Sequence, residues 1–406
     1  MIARMQARAR EPSVERVPLK SARGRVLAES IRADRDSPPF DTSAMDGFAI
    51  RTADLALDRA RDLTLTVAGE VRIGEAPSPM LAGQAVRIVT GAAIPAGCDA
   101  VIKREDLVEH LAEHVTDHPE GGTTHTITIS QQKRGALRAG ANIRARGENT
   151  RAGDELLTSG TRLTAASIGA LAAVGCALPL LFARVHVAII TTGDEVVAPG
   201  ETPAPFQIRN SNGPALEAVL AAHPSIEVTR VTHVRDEDDA LASELRTALT
   251  CCDAIIFTGG ISMGHRDGVR TAIESVGADV LFHGLPQRPG KPMLAAVAGG
   301  VAIFALPGNP VSTLVTCTRI VLPVLDAMAG LAHQVSVARV AVANPDHKSI
   351  DLWWHRLVRI TSTGEAHLAD GRGSGDMISA GITDGFIEVP PGAGASASSP
   401  FYPWST

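Results

Sequence analysis

Between residues 185 and 328 the sequence alternates short apolar runs with helical patterns, and this alternation restricts the possible folds more than any other feature. Strands are predicted at 185–190, 227–233, 254–257 and 301–305, and helices at 214–222, 238–249, 269–276 and 311–328. Strands that alternate with helices form a parallel sheet with right-handed crossovers. We therefore expect a central α/β domain at 185–330 with a parallel-rich sheet.

The sequences on either side of this region have different patterns. Short alternating runs separated by Gly and Pro, between 63 and 155, predict a β-rich domain, and strands at 335–342, 353–360 and 385–389 predict a small C-terminal β module. Segment 163–183 carries no charge and is long enough to span a bilayer. Because Gly169, Gly175 and Pro179 interrupt it, a buried helix followed by a turn is the better interpretation.

Composition narrows the class of protein. With 406 residues and 45% hydrophobic residues, the chain is expected to form several globular domains. Aromatic residues make up 3% and the net charge is −6, which argues against a nucleic-acid partner. The five cysteines include no CxxC pair, and the first ten residues lack the apolar core of a secretory signal. We expect a cytoplasmic protein with no membrane segment.

Three predicted strands are each followed by a loop that combines glycine with hydroxyl, amide or carboxylate side chains. Ligands of open α/β sheets bind beyond the carboxyl ends of the strands, where such loops lie. The candidate residues in these loops are Thr192, Gly193, Asp194, Glu195, Gly259, Gly260, Ser262, Asp267, Asn309 and Ser312.

These residue types are suited to a ligand that carries phosphate together with a metal ion. Glycine turns expose backbone amides to phosphate, and Mg²⁺ prefers carboxylate oxygens such as those of Asp194, Glu195 and Asp267. A purely structural interpretation stays open for each loop alone, since glycine turns commonly just close βα units. For Asp267 the alternative is capping of the helix that follows.

The segment Arg288-Pro289-Gly290-Lys291-Pro292 presents two cations on a stiff backbone, which suits a dianion such as phosphate or molybdate. It is not a nucleotide P-loop, because Pro292 stands where that motif needs Ser or Thr. His110, His114 and His118 recur every fourth residue, but the acidic residues between them favour a solvated hairpin or short helix over a zinc site.

Taken in order, several motifs resemble those of the molybdopterin molybdotransferases, a family that includes bacterial molybdenum insertases and the C-terminal domain of gephyrin. The matching segments are 37–49 (SPPFDTSAMDGFA), 88–92 (IVTGA), 192–195 (TGDE), 210–212 (NSN), 258–260 (TGG), 288–292 (RPGKP) and 307–312 (PGNPVS). Together they extend over most of the chain.

The resemblance implies a homodimer of four-part subunits. The parts would be a discontinuous helical linker domain (1–27 and 154–184), the β-rich domain (28–153), the α/β molybdopterin-binding domain (185–330) and a C-terminal small β-barrel (331–406). It also implies the reaction: adenylylated molybdopterin and molybdate are the substrates, Mg²⁺ assists, and AMP is released. Transient contact with a molybdopterin adenylyltransferase and with apo-molybdoenzymes would follow from this position in cofactor synthesis.

Site residues follow from the resemblance motif by motif. Asp46 and Thr90 match segments that border the partner subunit's cleft, and with Asp267 they are the expected catalytic residues. The expected substrate-binding residues are Thr192, Gly193, Gly259, Gly260, Ser262, Arg288, Lys291, Pro292, Asn309, Ser312, Arg356 and Ser374, and the expected metal ligands are Asp194, Glu195 and Asp267. The sequence departs from the family pattern at Asn149, His265 and Gly284.

Two other functions are weighed against this one. A molybdopterin adenylyltransferase has a similar α/β domain, but as a single-domain protein it lacks the 37–49 motif and the C-terminal module. A non-catalytic scaffold of the same fold is the second alternative, and the presence of both Asp194 and Asp267 argues against it.

Overall fold

The computed structural model describes Met5 and residues 11–56, 61–113, 123–261, 268–332, 336–346, 348–395 and 398–404. Five residues singled out above lie outside these ranges: His114, His118, Ser262, His265 and Asp267. The chain divides into two compact units, one formed by Ile31–Leu156 and the other by Met1–Ser30 together with Leu157–Thr406.

Strands make up much of both units. Those before the central domain are β1 (Val14–Arg16), β2 (Ile31–Arg32), β3 (Thr42–Ser43), β4 (Gly47–Ile50), β5 (Leu63–Val71), β6 (Gln84–Ile88), β7 (Ala100–Lys103), β8 (Val108–Glu113), β9 (Thr123–Ile129), β10 (Ile143–Arg144), β11 (Glu155–Leu157) and β12 (Leu180–Phe182). Those that follow are β13 (Val185–Thr192), β14 (Val196–Val197), β15 (Ile208–Arg209), β16 (Ile226–Val234), β17 (Ala254–Thr258), β18 (Asp279–His283), β19 (Gln287–Arg288), β20 (Leu294–Ala298), β21 (Val301–Leu306), β22 (Arg339–Val340), β23 (Trp353–Ile360), β24 (Ala366–Leu368), β25 (Gly385–Val389) and β26 (Ser399–Pro403).

Helices are concentrated in the second half of the chain. They are α1 (Gln131–Ala136), α2 (Ala165–Ala173), α3 (Asn212–Ala221), α4 (Asp238–Cys251), α5 (Gly268–Ser275), α6 (Pro310–Thr316), a π-helical turn (Cys317–Val321), α7 (Leu322–Met328) and α8 (Met377–Gly381). Short 3₁₀ turns occur at Leu19–Ser21, Thr52–Ala56 and Arg104–Asp106.

The larger unit contains the predicted α/β domain. Its sheet has the strand order β16-β13-β17-β21-β20-β18, in which the first four strands are parallel. This confirms the predicted alternation of strands and helices. The strands β20, antiparallel to β21, and β18, antiparallel to β20, complete one side of the sheet and were not predicted.

Both faces of this sheet are covered, which explains the nearly continuous apolar sequence of its strands. On one face Val187 and Ile189 of β13 pack with Leu216 of α3. On the other face Ala188 and Ile190 pack with helices α4 and α5. Successive side chains of a strand point to opposite faces, so one apolar run supplies both cores.

The linker region is less helical than predicted. Its strands β1 and β12 pair antiparallel, with Val14 opposite Phe182. The helix α2 begins at a capping box of Thr164 and Ser167, as the sequence allows. The expectation that this helix is buried is wrong, because Leu171 is its only buried residue.

Within the described residues, Pro310–Met328 is the one helical stretch that is long and apolar enough to cross a membrane by length and composition. About 67% of its most apolar 18-residue segment is buried inside the protein. It covers one face of the α/β sheet, with Val321 and Leu325 in the core, so its apolar character is explained by packing.

The smaller unit is the β-rich domain that the sequence predicts. Its main sheet has the order β7-β4-β6-β5-β9-β8. Phe48 and Ile50 pack on one side of it, and Ala49 and Val101 pack on the other. The sequence around His110 predicts either a solvated hairpin or a short helix. The antiparallel pairing of β8 and β9 confirms the hairpin.

The C-terminal module is a sheet of order β19-β23-β25-β26-β22, with β24 paired to β23. Its first strand, β19, comes from the α/β part of the sequence and aligns Arg288 with Trp354. A further bridge between Val342 and Ala366 links the segment after β22 to β24. Apolar residues such as Val358, Ile387 and Val389 fill the interior of the module.

Gly47 has no room for a side chain, because a Cβ atom there would lie 1.9 Å from the carbonyl oxygen of Ile102. We expect Gly47→Ala to lower the free energy of unfolding by about 1–3 kcal/mol, the usual range for overpacking. Chemical denaturation of the purified variant measures this loss.

Gly135 offers the matched control, since it lies in helix α1 of the same unit and a Cβ there meets nothing within 4 Å. Gly135→Ala is expected to be neutral or to stabilise by about 0.5–1 kcal/mol. Equal loss of stability in both variants would contradict the steric explanation.

Candidate functional site

Three of the predicted loops start from one edge of the α/β sheet. The strands β13, β17 and β21 are neighbouring and parallel, so their carboxyl ends at Thr192, Thr258 and Leu306 lie side by side. Both threonines are buried. The structure therefore brings together Thr192, Gly193, Gly259 and the segment that leads to Asn309.

Glycine is required at position 259, where these loops meet. A Cβ on Gly259 would lie 2.4 Å from the carbonyl oxygen of Thr192, and its φ of +94° is in the left-handed region. A Cβ on Gly308 would lie 3.4 Å from the Cα of Gly259. The two loops therefore approach each other at backbone distance, and they can present peptide groups to a ligand.

Asn212, at the start of α3, connects the same two loops. Its Nδ2 donates to Thr258 Oγ1 at 2.9 Å and to the carbonyl oxygen of Gly308 at 2.8 Å. The hydroxyl of Thr258 also lies 3.2 Å from that of the fully buried Thr313. The Oδ1 atom of Asn212 is buried and has no hydrogen-bond partner among the described residues.

An acidic group lies beside this junction. The hydroxyl of Thr192 donates a hydrogen bond to Asp236, and the backbone N–H of Asp236 donates to Asp194 Oδ1 at 3.3 Å. Asp194 and Glu195 are exposed. Asp236 was not predicted as a site residue, although it follows strand β16, whose carboxyl end lies at this same edge.

The described residues include no group of three or more His, Cys, Asp or Glu side chains that could hold a metal ion. Asp194, Glu195 and Asp236 nonetheless supply the hard oxygen donors that suit Mg²⁺. Asp267, the remaining predicted ligand, belongs to a segment outside the described residues.

The predicted cationic segment lies against the start of helix α6. A Cβ on Gly290 would lie 2.5 Å from Thr316 Cγ2 and 3.7 Å from the carbonyl oxygen of Ser312. Ser312 is buried, whereas Arg288 and Lys291 are exposed and Pro292 is half-buried. In the part of the chain that the structure describes, neither cation has a carboxylate partner.

The C-terminal module contributes to the same region. Asn309 Nδ2 donates to Ser374 Oγ at 3.0 Å, and the N–H of Val311 donates to the carbonyl oxygen of Ser374 at 2.9 Å. Arg356, in contrast, is engaged in a bidentate ion pair with Asp346. Of these two predicted residues, Ser374 is hydrogen-bonded to the loop that contains Asn309, whereas Arg356 is paired with the carboxylate of Asp346.

Asp46 and Thr90 meet in the smaller unit. Asp46 Oδ1 accepts hydrogen bonds from the N–H of Thr90 at 2.8 Å and from its hydroxyl at 2.9 Å. These bonds, the backbone one first, lower the pKa of Asp46 below its usual value of 3.8. The carboxylate of Asp46 is therefore ionised, and two hydrogen bonds from Thr90 fix its position.

Two cavities formed by described residues lie away from this sheet edge. One of about 540 Å³ is lined by Thr52, Arg134 and Arg138 in the smaller unit. Another, of about 220 Å³, is lined by Val185, Asp253 and other residues at the opposite ends of the strands from the loops described above.

Known proteins similar to this chain are found along most of its length. The family described as MoeA N-terminal region (domain I and II) matches residues 1–175, and the family described as probable molybdopterin binding domain matches residues 188–327. A molybdopterin molybdenumtransferase from Synechococcus elongatus is 38% identical over 324 residues, which cover 78% of this chain and 75% of the relative. One from Nostoc sp. is 33% identical over 393 residues, which cover 94% and 86%.

Solved structures agree with these relatives. A crystal structure of the molybdopterin biosynthesis MoeA protein from Pyrococcus horikoshii OT3 has a TM-score of 0.78 at 25% identity and covers 99% of this chain and 97% of its own. A crystal structure of a molybdopterin biosynthesis MoeA protein from Pyrococcus horikoshii has a TM-score of 0.76 at 28% identity and covers 100% of this chain and 98% of its own.

The hydrogen bonds at Asp46 generate a titration test. We expect Thr90→Val to raise the pKa of Asp46 while leaving it below 3.8, because the backbone N–H still donates. A carboxyl with a lowered pKa in the folded state stabilises the fold above its usual pKa, and this contribution disappears as the pH falls through the lowered value. The variant should therefore lose stability above pH 4 relative to the parent, and less so at lower pH.

NMR titration of the carboxyl carbons measures the pKa directly. Thr66→Val serves as control, since Thr66 is exposed on β5 of the same unit. An unchanged Asp46 pKa in Thr90→Val would contradict the role assigned to the hydroxyl.

Proposed function

The chain belongs to the molybdopterin molybdenumtransferase family and is a transferase of molybdenum cofactor biosynthesis; from this membership we propose that it inserts molybdenum from molybdate into adenylylated molybdopterin and releases AMP. The observation that carries the proposal is the meeting of the Gly259 and Gly308 loops at one sheet edge. This edge is where α/β sheets bind their ligands.

In this proposal the glycine turns hold the phosphate-bearing end of the pterin substrate. Backbone amides near Gly193, Gly259 and Gly260 bind phosphate oxygens, as amides at such turns commonly do. Thr192 adds a polar side chain to this lining, and Ser262 remains a substrate-binding residue that the family resemblance implies. Asn309, tied to Ser374, keeps the third loop in place at the start of helix α6.

The oxyanion substrate binds near the exposed cations Arg288 and Lys291. Both lack a carboxylate partner among the described residues, so their charge is available to an anion. Pro292 and the buried Ser312 border this position, and Arg356 supplies a third cation once its own ion pair opens. Molybdate is a tetrahedral dianion, and charge-assisted hydrogen bonds are the strongest way to hold it.

We further propose that Mg²⁺ is held by Asp194, Glu195 and Asp267, with Asp236 as an additional carboxylate. Supporting this proposal, Asp194 and Asp236 lie together at the same edge as the phosphate loops, where the backbone N–H of Asp236 donates to Asp194 Oδ1. A bound Mg²⁺ supplies charge neutralisation at the phosphoryl oxygens. Asp267 orients the oxygen that attacks the adenylyl phosphate.

We also propose that the enzyme is a cytoplasmic homodimer with the four-part subunit expected from the sequence, including a C-terminal barrel. In this arrangement Asp46 and Thr90 act at the cleft of the partner subunit. The fixed, ionised carboxylate of Asp46 supports a role toward a polar substrate. Light scattering would overturn the shared cleft if a monomer kept full activity.

The reaction itself is tested by incubating the enzyme with adenylylated molybdopterin, molybdate and Mg²⁺. We expect AMP release and pterin-bound molybdenum only when all three are present. Asp267→Asn is expected to stop AMP release while the pterin stays bound, whereas a capping role predicts nearly normal turnover, since Asn caps about as well as Asp. Adenylylation of molybdopterin by ATP in the same assay would instead identify an adenylyltransferase.

Lys291→Ala tests the position of the oxyanion. We expect the KM for molybdate to rise about tenfold or more, since a charge-assisted hydrogen bond contributes about 1.5–3 kcal/mol. Affinity for the adenylylated pterin should change much less. Lys20→Ala, at an exposed lysine near the N-terminus, is the charge-matched control. Equal KM values for molybdate in parent and Lys291→Ala would refute this position.

A further inference from the structure

Arg356 is the one proposed oxyanion ligand whose charge is already neutralised. Its Nη1 lies 2.5 Å from Asp346 Oδ1 and its Nη2 lies 2.8 Å from Asp346 Oδ2. The side chain of Arg356 is 13% exposed, and that of Asp346 is 29% exposed. Two parallel N–H···O bonds of this kind are the same geometry with which a guanidinium binds a tetrahedral oxyanion.

Trp354 connects this ion pair to the cationic segment. The Cζ of Arg356 lies 4.3 Å from the centre of the Trp354 ring, and the Cζ of Arg288 lies 5.9 Å from the same ring. Arg288 is also aligned with Trp354 through the pairing of β19 and β23. A guanidinium over an indole face is attracted to it, so Arg356 has a second contact that does not depend on Asp346.

Asp346 is a permanent anion under ordinary conditions. The hydrogen bond from Arg356 is the main cause that lowers the pKa of Asp346 to about 2. Lys348 lies 3.7 Å from the same carboxylate. The carboxylate therefore remains ionised and bonded to both Nη1 and Nη2 of Arg356 at every pH at which the enzyme is expected to work.

We propose that Asp346 is an internal counter-ion that competes with the substrate oxyanion for Arg356 and thereby weakens oxyanion affinity. The inference rests on the proposed function, in which Arg356 binds an oxyanion. When the oxyanion arrives, it replaces the carboxylate oxygens on the guanidinium, while the Trp354 ring keeps Arg356 beside Arg288. The oxyanion is either free molybdate or the phosphate group of the pterin substrate, since both present the same oxygens.

Asp346→Asn tests the competition, because Asn keeps the size of the side chain and removes its charge. We expect the KM for molybdate to fall about three- to tenfold, in the range of a charge-assisted pair. Asp351→Asn is the matched control, since Asp351 is an exposed carboxylate of the same module and forms none of the contacts just described. It should leave the KM unchanged. Equilibrium binding of the adenylylated pterin, measured without molybdate, shows whether the gain belongs to the phosphate instead.

A structural role for the ion pair predicts the opposite sign. If Asp346→Asn raised the KM for molybdate and the pterin dissociation constant, or left both unchanged, the counter-ion proposal would be wrong. Arg356→Gln separates this failure from failure of the proposed function. If Arg356→Gln alters neither substrate's affinity, the assignment of Arg356 to the oxyanion is wrong. If it weakens one of them and cancels the gain in the Asp346→Asn background, the competition is supported.

Discussion

The carboxamide of Asn212 fixes the distance between two loops, and the arrangement of the candidate site depends on it. One –NH₂ group satisfies both Thr258 and the carbonyl oxygen of Gly308. The loops then meet closely enough that a Cβ on Gly308 would touch the Cα of Gly259 at 3.4 Å, while a Cβ on Gly259 would clash with the carbonyl oxygen of Thr192. The same residue leaves its Oδ1 buried without a partner, which costs about 1–3 kcal/mol in other proteins. Functional sites commonly retain such locally unfavourable features.

The C-terminal module is attached to the Gly308 loop and helix α6 by side chains of the α/β domain. Arg319, in the π-helical turn after α6, donates to Glu388 at 2.6 Å, and His355 lies 3.3 Å from the same oxygen. Burial alone would raise the pKa of Glu388, but hydrogen bonds from His355 and Arg319 outweigh it and lower the pKa. The carboxylate is therefore ionised beneath the helix whose N-terminus faces the loops, and together with the Asn309–Ser374 bond it ties that helix to the module.

A structural feature can be predicted from this sequence when it depends on residues that are close together in the chain. The alternation from 185 to 328 predicts the parallel strands and their helices, because periodicity reports directly on which face is buried. The strand β20 has the sequence Leu-Ala-Ala-Val-Ala, buried on both faces, and shows no alternation from which a strand could be predicted. Asp236 was missed because it belongs to an acidic run before helix α4, and acidic residues there are also expected at any helix N-terminus. Its contact with Thr192 is a long-range one.

Arg356 is a second contact that local sequence does not reveal. The family resemblance assigned this residue to the substrate, whereas in the structure it pairs with Asp346, a carboxylate ten positions earlier. Geometry and family membership thus supply different parts of the functional argument. Glycine turns, hydroxyls and carboxylates at a sheet edge are groups with which proteins commonly bind phosphate, and they would suit many phosphate esters. Membership of the molybdenumtransferases selects the pterin among them. Arg288 and Lys291, which have no carboxylate partner among the described residues, connect the two parts in the proposed reaction, because binding of a second, free oxyanion would need cations that the phosphate loops do not provide.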